Sequence, residues 1–211
     1  PIEWQKYVGE TIIDRIVIRK GQRIEEKSFY EDKVKGKLDQ AILAYNKVIA
    51  INPEHAIVYN NIGLIFQAQG KYNEALSAFK KAITIKTDFA SAYNNMGNAL
   101  QGLDNLDQAI SAYKKAISLN PNYPDAYNNM GVAFKDQGDT DKAIKFFEKS
   151  ILLKPNYAEA FNNLGLIHHN QGELGKATQL YNKSILLNPN FADAHQNLSF
   201  TLLHQGKLKE G

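Results

Sequence analysis

Apolar residues along most of this chain fall at i, i+3, i+4 and i+7, which is one face of an α-helix. Tyr127, Met130, Gly131 and Phe134 form one such set. The set recurs. "VYNNIG" stands at 58–63, "AYNNMG" at 92–97 and again at 126–131, "AFNNLG" at 160–165, and a decayed "AHQNLS" at 194–199. Each copy begins 34 residues after the last, so units numbered from position 1 start at Ala56, Ala90, Pro124, Ala158 and Ala192.

Each unit predicts two helices. The first closes at Gly70, Gly138, Gly172 and Gly206, because glycine adopts the left-handed backbone of a helix end without strain. In the unit from Ala90 that place is Asp104, with Gly102 two residues earlier, which predicts a shifted turn. Asn73, Asp107 and Asp141 are expected to cap the start of the second helix through their short polar side chains. That helix carries one ring between two small residues: Ala75, Phe79, Ala82; Ala109, Tyr113, Ala116; Ala143, Phe147, Ser150; Ala177, Tyr181, Ser184. Small residues let two helices approach closely, and the ring fills the space beside them. Pro121, Pro155 and Pro189 stop it, since proline has no N–H and clashes with the preceding turn. Thr87 replaces the proline once and predicts a softer boundary there.

A ring at position 4, glycine at 8, small residues at 20 and 27 around a ring at 24, and proline at 32 resemble the tetratricopeptide repeat (TPR). The resemblance implies an all-α fold, a right-handed superhelical α-solenoid of 34-residue helix-turn-helix repeats. It covers residues 56–89, 90–123, 124–157 and 158–191 well, and residues 192–211 as the first helix of a further unit, with His195 in the ring slot and Ser199 for the glycine. Residues 22–55 read as a degenerate repeat: Ala41, Tyr45, Val48 and Pro53 match its second helix, but Glu25 and Asp32 stand where rings belong. Residues 1–21 lie outside the repeats. "TIIDRIVIRK" at 11–20 fits a strand or a helix, and a helix packed on the first unit is favoured, with Trp4 and Tyr7 as anchors.

Composition narrows the function. A net charge of +3, evenly spread, lacks the concentrated basic face of a nucleic-acid binder, so no nucleic-acid partner is expected. With no cysteine, thiolate metal sites, disulfides and a cysteine nucleophile are excluded, and a cytoplasmic setting is favoured. The apolar run at 11–20 is broken by Asp14 and Arg15 and is too short to span a bilayer, so neither a signal peptide nor membrane insertion is expected. Histidines 168, 169, 195 and 204 have no carboxylate or thiolate at ligand spacing, so no metal or cofactor is expected. Nor does any catalytic triad or phosphate-binding loop appear, so no enzyme activity is expected of these residues. The lysines at position 26 (Lys47, Lys81, Lys115, Lys149, Lys183) read as a solvated outer face. The chain opens on Pro1 and stops at Gly211 inside a repeat, which is expected of a fragment.

Stacked units bury their faces against each other, with the first helices lining a groove. Positions 5 and 6 are then expected on its wall: Asn60 and Asn61, Asn94 and Asn95, Asn128 and Asn129, Asn162 and Asn163, Gln196 and Asn197. Gln101, Lys135 and His169 join them at position 12. An asparagine offers one acceptor and one donor, as a peptide bond does, so a row of them suits an extended polypeptide. The resemblance sharpens this. In the TPR arms of O-linked N-acetylglucosamine transferases the position-6 asparagine forms a ladder that holds substrate chains, which implies that role for Asn61, Asn95, Asn129, Asn163 and Asn197. The same asparagine is common in TPRs generally and can serve to bridge adjacent helices, so both readings stand. Lys135 alone gives too little positive charge for the carboxylate clamp of chaperone-binding TPRs. The expected function is a protein-interaction module that binds an extended peptide. The alternatives are the recognition arm of a larger enzyme, foremost a glycosyltransferase, and a scaffold that self-associates through Leu198, Leu202 and Leu203 of the last unit.

Overall fold

The computed structural model describes residues 24–206, and side chains from Gly36 onward; the segment 1–21 and residues 207–211 lie outside that range. Ten helices follow one another, with no strand among the described residues. Helix α1 is Ile24–Ile51, followed by the pairs α2 Ala56–Ala68 and α3 Tyr72–Ile85, α4 Ala90–Gly102 and α5 Leu106–Leu119, α6 Pro124–Asp136 and α7 Thr140–Leu153, and α8 Ala158–Asn170 and α9 Leu174–Leu187, with α10 Ala192–His204 last. No described helix is long and apolar enough to cross a membrane. Within the degenerate repeat expected at 22–55, residues Ile24–Ile51 form one continuous helix. Gly36 occupies the position of the turn glycine, yet α1 runs straight through it. Glycine permits a left-handed turn but does not drive one.

The two helices of each pair meet at a glycine. A Cβ on Gly63 would lie 2.5 Å from the Phe79 ring, one on Gly131 2.7 Å from Phe147, and one on Gly165 2.8 Å from Tyr181; Gly97 is equally close to Tyr113. These four rings are fully buried, and so are Ala75, Ala82, Ala109, Ala116, Ala143 and Ala177 beside them. Ser150 and Ser184 stand where the other units have alanine, and each hydroxyl donates to a carbonyl of its own first helix, Pro124 O and Ala158 O, both at 2.8 Å. The polar substitution is thus satisfied inside the core.

The turns hold one register. Gly70, Gly138, Gly172 and Gly206 have φ of +72°, +82°, +77° and +64°. Asp104 takes the same place with φ +58°, so the turn expected to shift does not. Gly102 serves another contact, since a Cβ there would lie 2.6 Å from the Tyr72 ring. The caps differ from expectation by two residues. Lys71, Asn105, Asp139 and Glu173 precede the second helices, and only Asp139 caps with its side chain, accepting from Lys142 N at 3.1 Å. Asp107 lies inside the first turn and instead accepts Gln137 Nε2 of the next pair at 2.7 Å. Thr87 leaves its boundary as firm as the prolines do: α3 ends at Ile85, in register with α5, α7 and α9.

Neighbouring pairs share a continuous core through Leu100, Tyr113, Met130, Phe134, Phe147 and Leu164. Each second helix packs against the next first helix, and successive first helices also touch, as α2 does α4 and α8 does α10. The stack therefore curves with its first helices inside. Replacing Gly131 by alanine pushes a methyl into the Phe147 ring and should lower stability by about 1–3 kcal/mol. Gly175→Ala, within α9 and facing open space, should be neutral or raise stability by up to ~1 kcal/mol. Urea unfolding midpoints of the two variants check both.

Candidate functional site

The paired asparagines divide into two roles. Consecutive helical residues point about 100° apart, so positions 5 and 6 cannot both face the groove. Asn60, Asn94, Asn128 and Asn162 are buried, with exposures of 7%, 3%, 4% and 5%. This corrects the expectation that they stand open on the wall. Asn61, Asn95, Asn129, Asn163 and Asn197 are half-buried on the groove side.

Each half-buried amide reaches back to the buried one of the preceding unit. Asn95 Nδ2 donates to Asn60 Oδ1 at 3.0 Å, Asn129 to Asn94 at 3.1 Å, Asn163 to Asn128 at 3.1 Å and Asn197 to Asn162 at 3.0 Å. Asn61 donates to the Tyr45 hydroxyl of α1 at 3.2 Å. A buried carbonyl oxygen left alone costs about 1–3 kcal/mol, so this staircase is a structural necessity once position 5 is asparagine. It also fixes the outer amides in one orientation, and their Oδ1 atoms make no hydrogen bond among the described residues. Gln196 is exposed in the last unit.

Position 12 is partly committed. Gln101 Nε2 donates to Asp136 Oδ2 at 2.8 Å, and its Oε1 lies 3.0 Å from the Tyr113 hydroxyl. Lys135 pairs with the same Asp136 at 3.3 Å. His169 Nδ1 lies 2.7 Å from Thr201 Oγ1, whose own proton goes to Asn197 O at 2.8 Å. The histidine is therefore the donor, and its Nε2 carries the lone pair. Among the described residues no three histidine or carboxylate side chains converge as metal ligands. The position-26 lysines are all exposed, Lys47 on α1 and Lys81, Lys115, Lys149 and Lys183 on the second helices.

Two hydroxyls to which the sequence reading gave no role matter here. Tyr113 and Tyr181 stand where other units have phenylalanine, and a buried hydroxyl needs a partner. The Tyr113 hydroxyl lies 2.7 Å from Asn98 Oδ1, which also accepts Asn129 Nδ2 at 2.9 Å. Burial, and then the charge of Asp136, raise its pKa far above that of a free phenol, so it stays a donor. In the fourth pair Leu166 replaces that Asn98, and the buried Tyr181 hydroxyl has no hydrogen-bond partner. Burial pushes the Tyr181 phenol up to about 12.

The difference between the two tyrosines predicts opposite results for the same substitution. Tyr113→Phe should lower stability by about 1 kcal/mol, while Tyr181→Phe should leave it unchanged or raise it. Parallel urea titrations followed by circular dichroism read both, and an equal loss in the two would contradict this geometry.

Sequence profiles described as TPR repeat match residues 33–70, 63–104 and 103–138. Tetratricopeptide-repeat profiles match 124–157, 158–191 and 180–211. No curated protein sequence matches the chain. Among solved structures, a crystal structure of MamA is similar with a TM-score of 0.64 and 32% identity, covering 77% of this chain and 95% of that one. MamA of Desulfovibrio magneticus RS-1 gives 0.61 and 25%, covering 72% and 86%. YrrB, a TPR protein with an unusual peptide-binding site, gives 0.59 and 23%, covering 94% and 99%, and at that identity it shows the fold alone. From its repeats, its ring-on-glycine packing and these profiles, the chain belongs to the tetratricopeptide-repeat family and is an all-α solenoid of the protein-interaction type.

Proposed function

We propose that the concave wall binds an extended polypeptide segment of a partner protein. The observation that carries this is the row of outer amides at Asn61, Asn95, Asn129, Asn163 and Asn197. Each is held through its Nδ2 on the neighbouring unit, Asn129 by both of its N–H groups, and no carbonyl of the row makes a hydrogen bond among the described residues. A peptide backbone presents an N–H and a carbonyl at each residue, which complements the free carbonyl of each amide and, at every member of the row but Asn129, a remaining N–H. Amides already fixed lose little entropy on binding, which favours affinity without large contact area.

The rest of the wall fits such a ligand. Leu64 and Phe200 offer exposed apolar steps, while Gln101 and Lys135 are occupied by Asp136 and add little free charge. A wall of this kind reads backbone more than side chain. YrrB, of the same fold, is a TPR protein with a peptide-binding site, which agrees with the reading. As the recognition arm of a larger enzyme, the groove would do the same work for a catalytic module outside residues 1–211.

Peptides selected from a random library against the whole chain provide the test. Asn95→Ala with Asn129→Ala should weaken a selected peptide by about tenfold or more, two hydrogen bonds at about 1 kcal/mol each. Lys115→Ala with Lys149→Ala, on the outer face, should not. Circular dichroism confirms that the variants remain helical. Unchanged affinity in the asparagine pair would sink the proposal.

A further inference from the structure

The groove ends in a pocket of about 180 Å³ between α8, α9 and α10. Leu166 and Phe200 form apolar sides, and Tyr181, His169, His204 and Asn197 supply the polar atoms. The His169 and His204 rings lie 5.1 Å apart. Tyr181 is fully buried, and its hydroxyl is one of four buried side-chain oxygens with no partner among the described residues, the others being Gln67, Gln69 and Gln205 Oε1. Thr201 lies near it, but that hydroxyl is committed to Asn197 O and accepts from His169 Nδ1. At the equivalent place two units earlier, Asn98 and Gln101 satisfy Tyr113. Here Leu166 and His169 replace those two acceptors, and the Tyr181 hydroxyl makes no hydrogen bond among the described residues.

We propose that this pocket is an anchor subsite for a carboxylate side chain, aspartate or glutamate, of the peptide in the groove. Tyr181 O–H and the His169–His204 imidazole pair are its donors. The inference rests on the groove reading above. No carboxylate lines the pocket. The charged groups on the surrounding elements point elsewhere: Glu173 binds His168 and Lys176, Lys135 binds Asp136, His195 meets Pro189 O, and Glu159, Lys183 and Asp193 are exposed. Among the described residues the imidazole pair thus has no carboxylate partner, and a ligand carboxylate supplies one. Since His169 Nδ1–H is already given to Thr201, its Nε2 can donate only after gaining a proton.

Two capped tripeptides test this on the whole chain: acetyl-Gly-Glu-Gly-amide and its glutamine counterpart. The readout is the NMR signals of the His169 and His204 ring protons at about pH 6. The glutamate peptide should shift both rings saturably, raise their titration midpoints, and bind at least about fivefold more tightly than the glutamine peptide. Tyr181→Phe should weaken only the glutamate peptide, by about fivefold or more. Equal binding of the two peptides, no shift from either, or no effect of Tyr181→Phe overturns the subsite. If library peptides still depend on Asn95 and Asn129 in that case, the groove stands and only the anchor falls. If the anchor responds and the asparagine pair does not, the pocket is a carboxylate site but not a subsite of a peptide groove, and the inference as stated is overturned.

Discussion

Every first helix in this solenoid is tied to the next by a side-chain amide donating to a buried side-chain carbonyl. The acceptor is at most 7% exposed in all four full units, so water cannot replace the donor without opening the interface. That makes the bond selective. Sliding one unit along its neighbour leaves a buried oxygen unpaired, at a cost of about 1–3 kcal/mol. Apolar stacking supplies the bulk of the attraction between units but tolerates small shifts. The amide bond sets the register, and with it the position of everything on the groove wall.

The same bond settles what the repeated "NN" is for. The first asparagine is an acceptor inside the stack and the second is its donor, already oriented, with its carbonyl turned to the groove. Structure and binding are divided between the two ends of one amide. Where the repeat is imperfect, the consequences are local and legible. Asn98 gives Tyr113 a partner, and Leu166 denies one to Tyr181. Two residues, at positions 9 and 12, thus separate a closed polar network from an open pocket.

Much of the fold could be read from residue types because each requirement is short-range. The turn glycines, the ring opposite glycine at position 8 and the prolines after three of the four second helices all declared themselves, and the family followed. Asp104 was misread because the nearby Gly102 looked like a displaced turn, when its missing side chain serves Tyr72. Gly36 shows the converse: it holds the turn position of the 22–55 unit, but α1 passes through it. The caps were misplaced because Asp107 is used between units rather than at its own helix end. At the candidate site the asparagine row was visible from the sequence, but the fate of each member depends on helix rotation. The Tyr181 pocket depends on three helices meeting, and its only sequence sign was a tyrosine in a phenylalanine slot.

A double-mutant cycle on Asn128 and Asn163 tests the interlock most directly, because this pair shares one bond, 3.1 Å long, and Asn163 Nδ2 has no second acceptor. Stabilities of the wild type, Asn128→Ala, Asn163→Ala and the double variant give the coupling. The account predicts that the two losses are not additive, with a coupling of about 1 kcal/mol, because Asn163→Ala alone strands the buried Asn128 oxygen. Losses that add to within about 0.3 kcal/mol would contradict it.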